Sequence, residues 1–167
     1  MVNSFESLQI KTPFLKALND EKYQTPTPIQ KECMPKVLDG HDILGIAQTG
    51  TGKTAAFSIP ILQLLNGSQP ENKKRNTRAL ILAPTRELAI QIGSSIRLYG
   101  KYIAFKHTLI YGGVGQKQQV DALKRGMDLI VATPGRLLDL INQGHCQVDK
   151  VEYFVLDEAD RMLDMGF

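Results

Sequence analysis

The chain has 167 residues, 43% of them hydrophobic and 22% charged, and carries a formal net charge of +3. That is about one domain's length, enough for a sizeable core, with the composition of an ordinary soluble globular protein. No apolar run approaches the roughly 18 residues of a membrane span and no secretory signal opens the chain, so the expected location is cytoplasmic, without a membrane partner.

In chain order, the first helical pattern is "PIQKECMPKVLD" (28–39), followed by an apolar strand, "DILGIA" (42–47). "GKTAAFSIPILQLLN" (52–66) reads as a buried helix, with Pro60 expected to kink it or remove a hydrogen bond. "NGSQPENKKRN" (66–76) reads as a long loop, and the basic run "ENKKRNTR" (71–78) as its solvated part before a contact with a polyanion. Strands "RALILA" (78–83), "HTLIY" (107–111), "DLIVAT" (128–133) and "EYFVLD" (152–157) then alternate with helices over 86–101, 115–126 and 135–142. The strands are continuously apolar rather than alternating, as strands buried on both faces are. Strand alternating with helix predicts an α/β fold, a parallel sheet sandwiched between helices. Cys33 and Cys146 have neither a C-x-x-C partner nor a neighbouring histidine, and read as reduced thiols.

"GIAQTGTGKTAAF" (45–57) lies at a strand-to-helix junction, where a phosphate-binding loop belongs. Gly50 and Gly52 let successive amides turn inward toward phosphate oxygens, and the helix that follows aims its positive end at the same point. Lys53 would reach the β- and γ-phosphates, and the Thr54 hydroxyl would hold Mg2+. Ala47 stands where the strict pattern has glycine, an outer position that a small residue can fill. "YFVLDEAD" (153–160) supplies an acidic corner at a strand's carboxyl end, where ligands bind in such sheets. Asp157 fits the metal-holding Walker B role, and Glu158 the general base that polarises water. The catalytic set is therefore Lys53, Asp157 and Glu158, with Thr54 and Asp157 as metal ligands.

These words stand in one order with "YQTPTPIQ" (23–30), "PTRELAIQ" (84–91), "YGG" (111–113) and "TPGR" (133–136). The set resembles the first RecA-like domain of DEAD-box ATP-dependent RNA helicases, and "LDEADRMLDMGF" resembles bacterial members. The resemblance implies a RecA-like P-loop domain truncated before its last strands. Residues 1–40 would be a leading region with the adenine-reading motif, and 41–167 an incomplete ATP-binding domain. A second RecA-like domain, absent from this chain, would be the partner. It implies ATP and Mg2+ as cofactors. It also implies Gln30 as the adenine-reading amide, Tyr23 as the stacking aromatic, Phe5 as the upstream aromatic, and Thr49 and Thr51 as braces of the loop. Lys22 stands where the family often has glycine. RNA would be gripped by its backbone through Pro84, Thr85, Arg86, Gly112, Gly113, Thr133, Pro134, Gly135 and Arg136. These groups bind phosphate without reading bases. Asp160 would couple nucleotide state to RNA, and Arg161 would make a structural ion pair. The expectation for these residues alone is weak nucleotide binding, negligible turnover and no unwinding. An ATP-gated RNA clamp with little turnover and a DNA translocase of the same superfamily share many of these motifs.

Overall fold

The computed structural model describes residues 4–68 and 75–166. Its chain divides into two compact units, one comprising residues 1–68 and 94–104, the other 69–93 and 105–167.

The first unit is helical. A single 3-10 turn, Glu6–Leu8, precedes α1 (Thr12–Asp20), α2 (Pro28–Leu38) and α3 (Lys53–Gly67). The first two elements carry readable signals that the periodicity of the later segments overshadows: Pro13 in the first turn, then Phe14, Ala17 and Leu18 buried at helical spacing. Phe5, Leu8, Phe14, Leu18, Met34, Ile59 and Leu62 are buried here. Pro60 sits inside α3 without ending it, in a stretch where nearly every residue is buried. The Gln63 amide straps the N-terminal segment to α3, accepting from the Lys11 amide at 2.8 Å and donating to the Gln9 carbonyl at 2.9 Å.

Two helix ends show why Lys22 is unusual. After α2, the Gly40 amide bonds the Val37 carbonyl and the His41 amide bonds that of Lys36, with Gly40 at φ +81°. After α1, the Lys22 amide bonds Asn19 and the Tyr23 amide bonds Leu18 in the same pattern, with Lys22 at φ +62°. Glycine is the usual residue at this left-handed position. Lys22 adopts the turn regardless, so Tyr23 is presented as a glycine would present it.

The expected strand over 42–47 does not form. Residues 41–48 carry no regular secondary structure, and Leu44 and Ile46 are 90% and 89% exposed. An apolar, β-branched run becomes a strand only when a neighbour supplies its hydrogen bonds and cover. Among the described residues none pairs with this segment.

The second unit holds a four-stranded parallel sheet: β1 (Ala79–Leu82), β2 (His107–Ile110), β3 (Leu129–Ala132) and β4 (Tyr153–Leu156), in the order β2-β3-β1-β4. Its helices are α5 (Lys117–Lys124), α6 (Pro134–Asn142) and α7 (Ala159–Asp164), with the start of α4 (Arg86–Tyr99). One sheet face buries Leu80, Ile110, Ile130 and Ala132 against Val120 of α5 and Leu137 and Leu140 of α6. On the other face α4 comes close to β2: a methyl group on Gly93 would stand 2.5 Å from a Leu109 side-chain carbon. The architecture is therefore α/β, a parallel sheet flanked by helices. The cover stops short of β4, whose Phe154 and Leu156 are 56% and 50% exposed. Parallel register places Phe154 on the face of Leu80, beyond the reach of α5 and α6.

Two ion pairs fix the basic stretch before β1; residues 69–74 of that loop lie outside the described residues. The Arg75 guanidinium pairs with Asp128, a 4%-exposed carboxylate that also accepts from the Lys106 amide at 2.7 Å. Arg78 and Glu152 form a two-pronged pair, Nε to Oε1 at 2.7 Å and Nη2 to Oε2 at 3.0 Å. These arginines are committed to structure rather than solvated. The Arg78 guanidinium holds the Glu152 carboxyl below its ordinary range. Because the folded state binds that proton less readily, the stabilisation is present at neutral pH and lost as pH falls through the lowered value. Glu152 is half exposed, so Glu152→Gln should lower stability at pH 7 by at most about 1 kcal/mol. In urea titrations the difference from wild type should vanish well below about pH 4.

Candidate functional site

In the first unit, Gln30 is the junction of two motifs. It is the third residue of α2, and its Oε1 accepts the amide hydrogen of Thr27, the residue that caps the helix, at 2.9 Å. Its Nε2 donates to the Gly52 carbonyl at 3.2 Å. Gln30 is only 5% exposed, which a solvent-facing helix residue would not be. A primary amide offers two hydrogens and two lone pairs, so each end retains one for a further partner.

The Gly52 carbonyl also accepts the first α3 bond, from Ala56 at 3.1 Å. Gly52 sits at φ +87° as the residue before α3, and Gly50 at φ +82° turns the loop ahead of it. Thr51 braces the loop by donating its hydroxyl to the Gln48 carbonyl at 2.7 Å; Thr49 is exposed. Lys53 and Thr54 open α3, where the unpaired amides and the helix dipole favour negative charge. Tyr23 is 51% exposed and can offer its ring, whereas Phe5 is 4% exposed and packs in the core.

In the second unit, four motif segments follow the carboxyl ends of four parallel strands and so share one rim. The register sets the last strand residues side by side, Ile110 beside Ala132, Ala132 beside Leu82 and Leu82 beside Leu156. The loops after them therefore run in the order Gly112–Gly113, Thr133–Arg136, Pro84–Arg86 and Asp157–Asp160. Thr85 caps α4, its hydroxyl oxygen accepting the Leu88 amide at 3.2 Å. Thr133 precedes α6, with Pro134 in its first turn and Gly135 exposed beyond it. Arg86 is exposed, Pro84 buried, and Arg136 partly buried, donating to the Val114 carbonyl at 3.1 Å.

At the end of β4, Glu158 is one of three non-glycine residues with positive φ among the described residues, at φ +51° and ψ +50°. Left-handed backbone at a bulky residue is uncommon and gathers at functional sites. Here it turns the chain abruptly between strand and helix. Asp157 Oδ1 accepts the Glu158 amide at 3.1 Å. Arg161 makes the expected ion pair, with Glu158 at 3.3 Å, but in an exposed setting where such a pair contributes little. Asp160 is exposed.

A cavity of about 320 Å3 lies at the opposite, amino-terminal ends of the strands, among Arg75, Lys124, Arg125, His145, Cys146 and Lys150. The carboxyl ends of α5 and α6 point toward it, so its cations complement helix carbonyls. Burial raises the Cys146 thiol above its ordinary value, as it does Cys33.

A glycine-turned loop opening a helix, with an amide bridging it to an upstream motif, thus lies in the first unit, and a rim of threonine, arginine and acidic loops in the second. Residues 27–167 match the DEAD/DEAH box helicase family, and the chain belongs to it. Over 165 residues it is 48% identical to the ATP-dependent RNA helicase DeaD of Escherichia coli (strain K12), covering 98% of this chain and 25% of that protein. The DeaD protein of Haemophilus influenzae is 44% identical over 165 residues, 98% of this chain and 26% of its own length. The probable ATP-dependent RNA helicase ddx42 of Dictyostelium discoideum is 45% identical over 166 residues, 99% and 17%. The chain thus spans about a quarter or less of these relatives. No helix among the described residues is long and apolar enough to cross a membrane.

Proposed function

We propose that this chain is the ATP-binding N-terminal half of a DEAD-box RNA helicase that separates short duplexes locally, in the cytoplasm, together with a second RecA-like domain. The observation that carries the reading is the Gln30 amide, fixed between the α2 cap and the Gly52 carbonyl with one donor and one acceptor to spare. A side-chain amide that offers both can meet adenine's N6 and N7 together, as in base readout. Guanine presents only acceptors on that edge, so the site selects ATP.

Lys53 neutralises the β- and γ-phosphates, with the loop amides around them. No three His, Cys, Asp or Glu residues gather among the described residues. Magnesium would be held by the Thr54 hydroxyl and the Asp157 carboxylate, hard oxygen donors of the kind that cation takes. When bound, the ion offsets the phosphate charge; Glu158 takes the proton of the attacking water. The rim arginines and threonines hold one RNA strand by its backbone, with little sequence preference. Asp160 relays between the two events. Turnover needs charge stabilisation from the second domain as well, a contribution of about 10³ or more where arginine supplies it.

Calorimetry of ADP and GDP on this chain tests the reading. ADP binds, GDP does not, and Gln30→Ala erases the difference; Lys53→Ala weakens ADP by about 10- to 100-fold, the loss of a charged hydrogen bond. Equal affinity for ADP and GDP would overturn the adenine-reading role.

A further inference from the structure

Arg86 does not stand free on the rim. Its guanidinium lies over the Tyr111 ring, 5.1 Å from the ring centroid, and a methyl group on Gly113 would stand 3.5 Å from its Nη1. Tyr111 is itself held: Gln119, at 7% exposure, donates its Nε2 to the Tyr111 carbonyl at 3.0 Å. Arg136 fixes the other end of the same turn through the Val114 carbonyl. The segment 111–114 is thus clamped at both ends, and its one aromatic ring faces the arginine.

We propose that Tyr111 is a positioning residue for RNA, holding the Arg86 guanidinium over its ring so that N–H groups are left to meet a phosphate. The inference rests on the reading of this rim as the RNA-binding face. A guanidinium stacked by its face on a ring keeps its in-plane N–H groups free for a planar, two-pronged contact. A free arginine has many rotamers to lose when it binds; a stacked one has lost most of them already. Glycine at 113 belongs to the same turn, since its φ of +77° is a left-handed conformation that a side chain would strain.

The test is fluorescence anisotropy of a labelled oligouridylate with the full-length protein that carries this segment, in the presence of a non-hydrolysable ATP analogue. Tyr111→Leu is expected to weaken RNA binding about two- to five-fold, the strength of an exposed cation–π contact, with unchanged ADP affinity. Tyr111→Phe restores it. Arg86→Lys, which keeps the charge and loses the planar stack, weakens binding in its own right and makes Tyr111→Leu silent in its background. Should Tyr111→Leu fold poorly, Tyr111→Met, which also removes the ring at similar bulk, asks the same question alone and in the Arg86→Lys background.

Additive effects of Tyr111→Leu and Arg86→Lys, or an equal loss in Tyr111→Phe, would overturn the positioning role. If Arg86→Ala leaves RNA affinity untouched, the RNA-binding reading of the rim itself fails, and the inference with it. A loss in Arg86→Ala without one in Tyr111→Leu rejects the inference alone.

Discussion

Gly52→Ala is expected to be far more damaging than Gly50→Ala, although each adds one methyl group to a glycine of the same loop. Both positions are left-handed, at φ +87° and +82°, so each alanine carries a backbone penalty of about 1–2 kcal/mol. At Gly50 that is the whole effect, because a methyl group there meets nothing within 4 Å. At Gly52 the methyl would stand 2.3 Å from Gln30 Nε2 and 3.3 Å from Thr27 Oγ1. Gln30 cannot swing aside cheaply, being bonded at both ends, so overpacking adds about 1–3 kcal/mol. Thermal melts and ADP titrations of both variants measure the gap. Gln30→Ala should return Gly52→Ala to the level of Gly50→Ala, a coupling that a double-mutant cycle isolates. Equal damage at the two glycines would show that the loop and the amide do not constrain one another.

Glu158→Gln is expected to abolish most turnover while leaving nucleotide affinity in place. The amide keeps the size of the side chain and much of its hydrogen bonding but cannot take a proton from water. General base catalysis of this kind contributes about 10²–10⁴-fold, and kcat for ATP in the RNA-stimulated full-length protein should fall by that factor. The lost pair with Arg161 has little effect, since it is a single-pronged i,i+3 contact to an exposed arginine. KM for ATP should stay near wild type, because the proposed phosphate grip of Lys53 and the loop amides does not involve Glu158. A matching rise in KM, with kcat intact, would make Glu158 a binding residue instead.

Helix α3, the strands over 78–83 and 128–133 and the four rim loops were legible because each is a local pattern: an apolar run, a turn residue, a cap. Two things were not. The segment 42–47 has the composition of a buried strand, but pairing is a property of neighbours, and the sequence of the run does not contain them. Gln30 was recognisable from its motif only as an adenine reader. Its cap on α2 follows a local T-x-x-Q pattern, but its brace on Gly52 depends on a contact between residues 22 apart, which no local pattern encodes. Similarly Arg75 and Arg78 read as part of a solvated basic loop in sequence, and are paired with Asp128 and Glu152. Lys22 shows the reverse: an untypical residue whose turn forms anyway, because two backbone hydrogen bonds outweigh a modest conformational penalty.

The strand order β2-β3-β1-β4 has a consequence for synthesis. The central strand β1 is made before either neighbour: Ala79 pairs with Leu129 on one side and Tyr153 on the other. At ribosomal speeds, some fifty residues take about 3–10 s to emerge. For that interval "ALIL" is an apolar ribbon with no ladder to join, and the last lock, between Arg78 and Glu152, closes later still. Nascent chains of this protein should therefore lean on a holding chaperone until β4 leaves the ribosome.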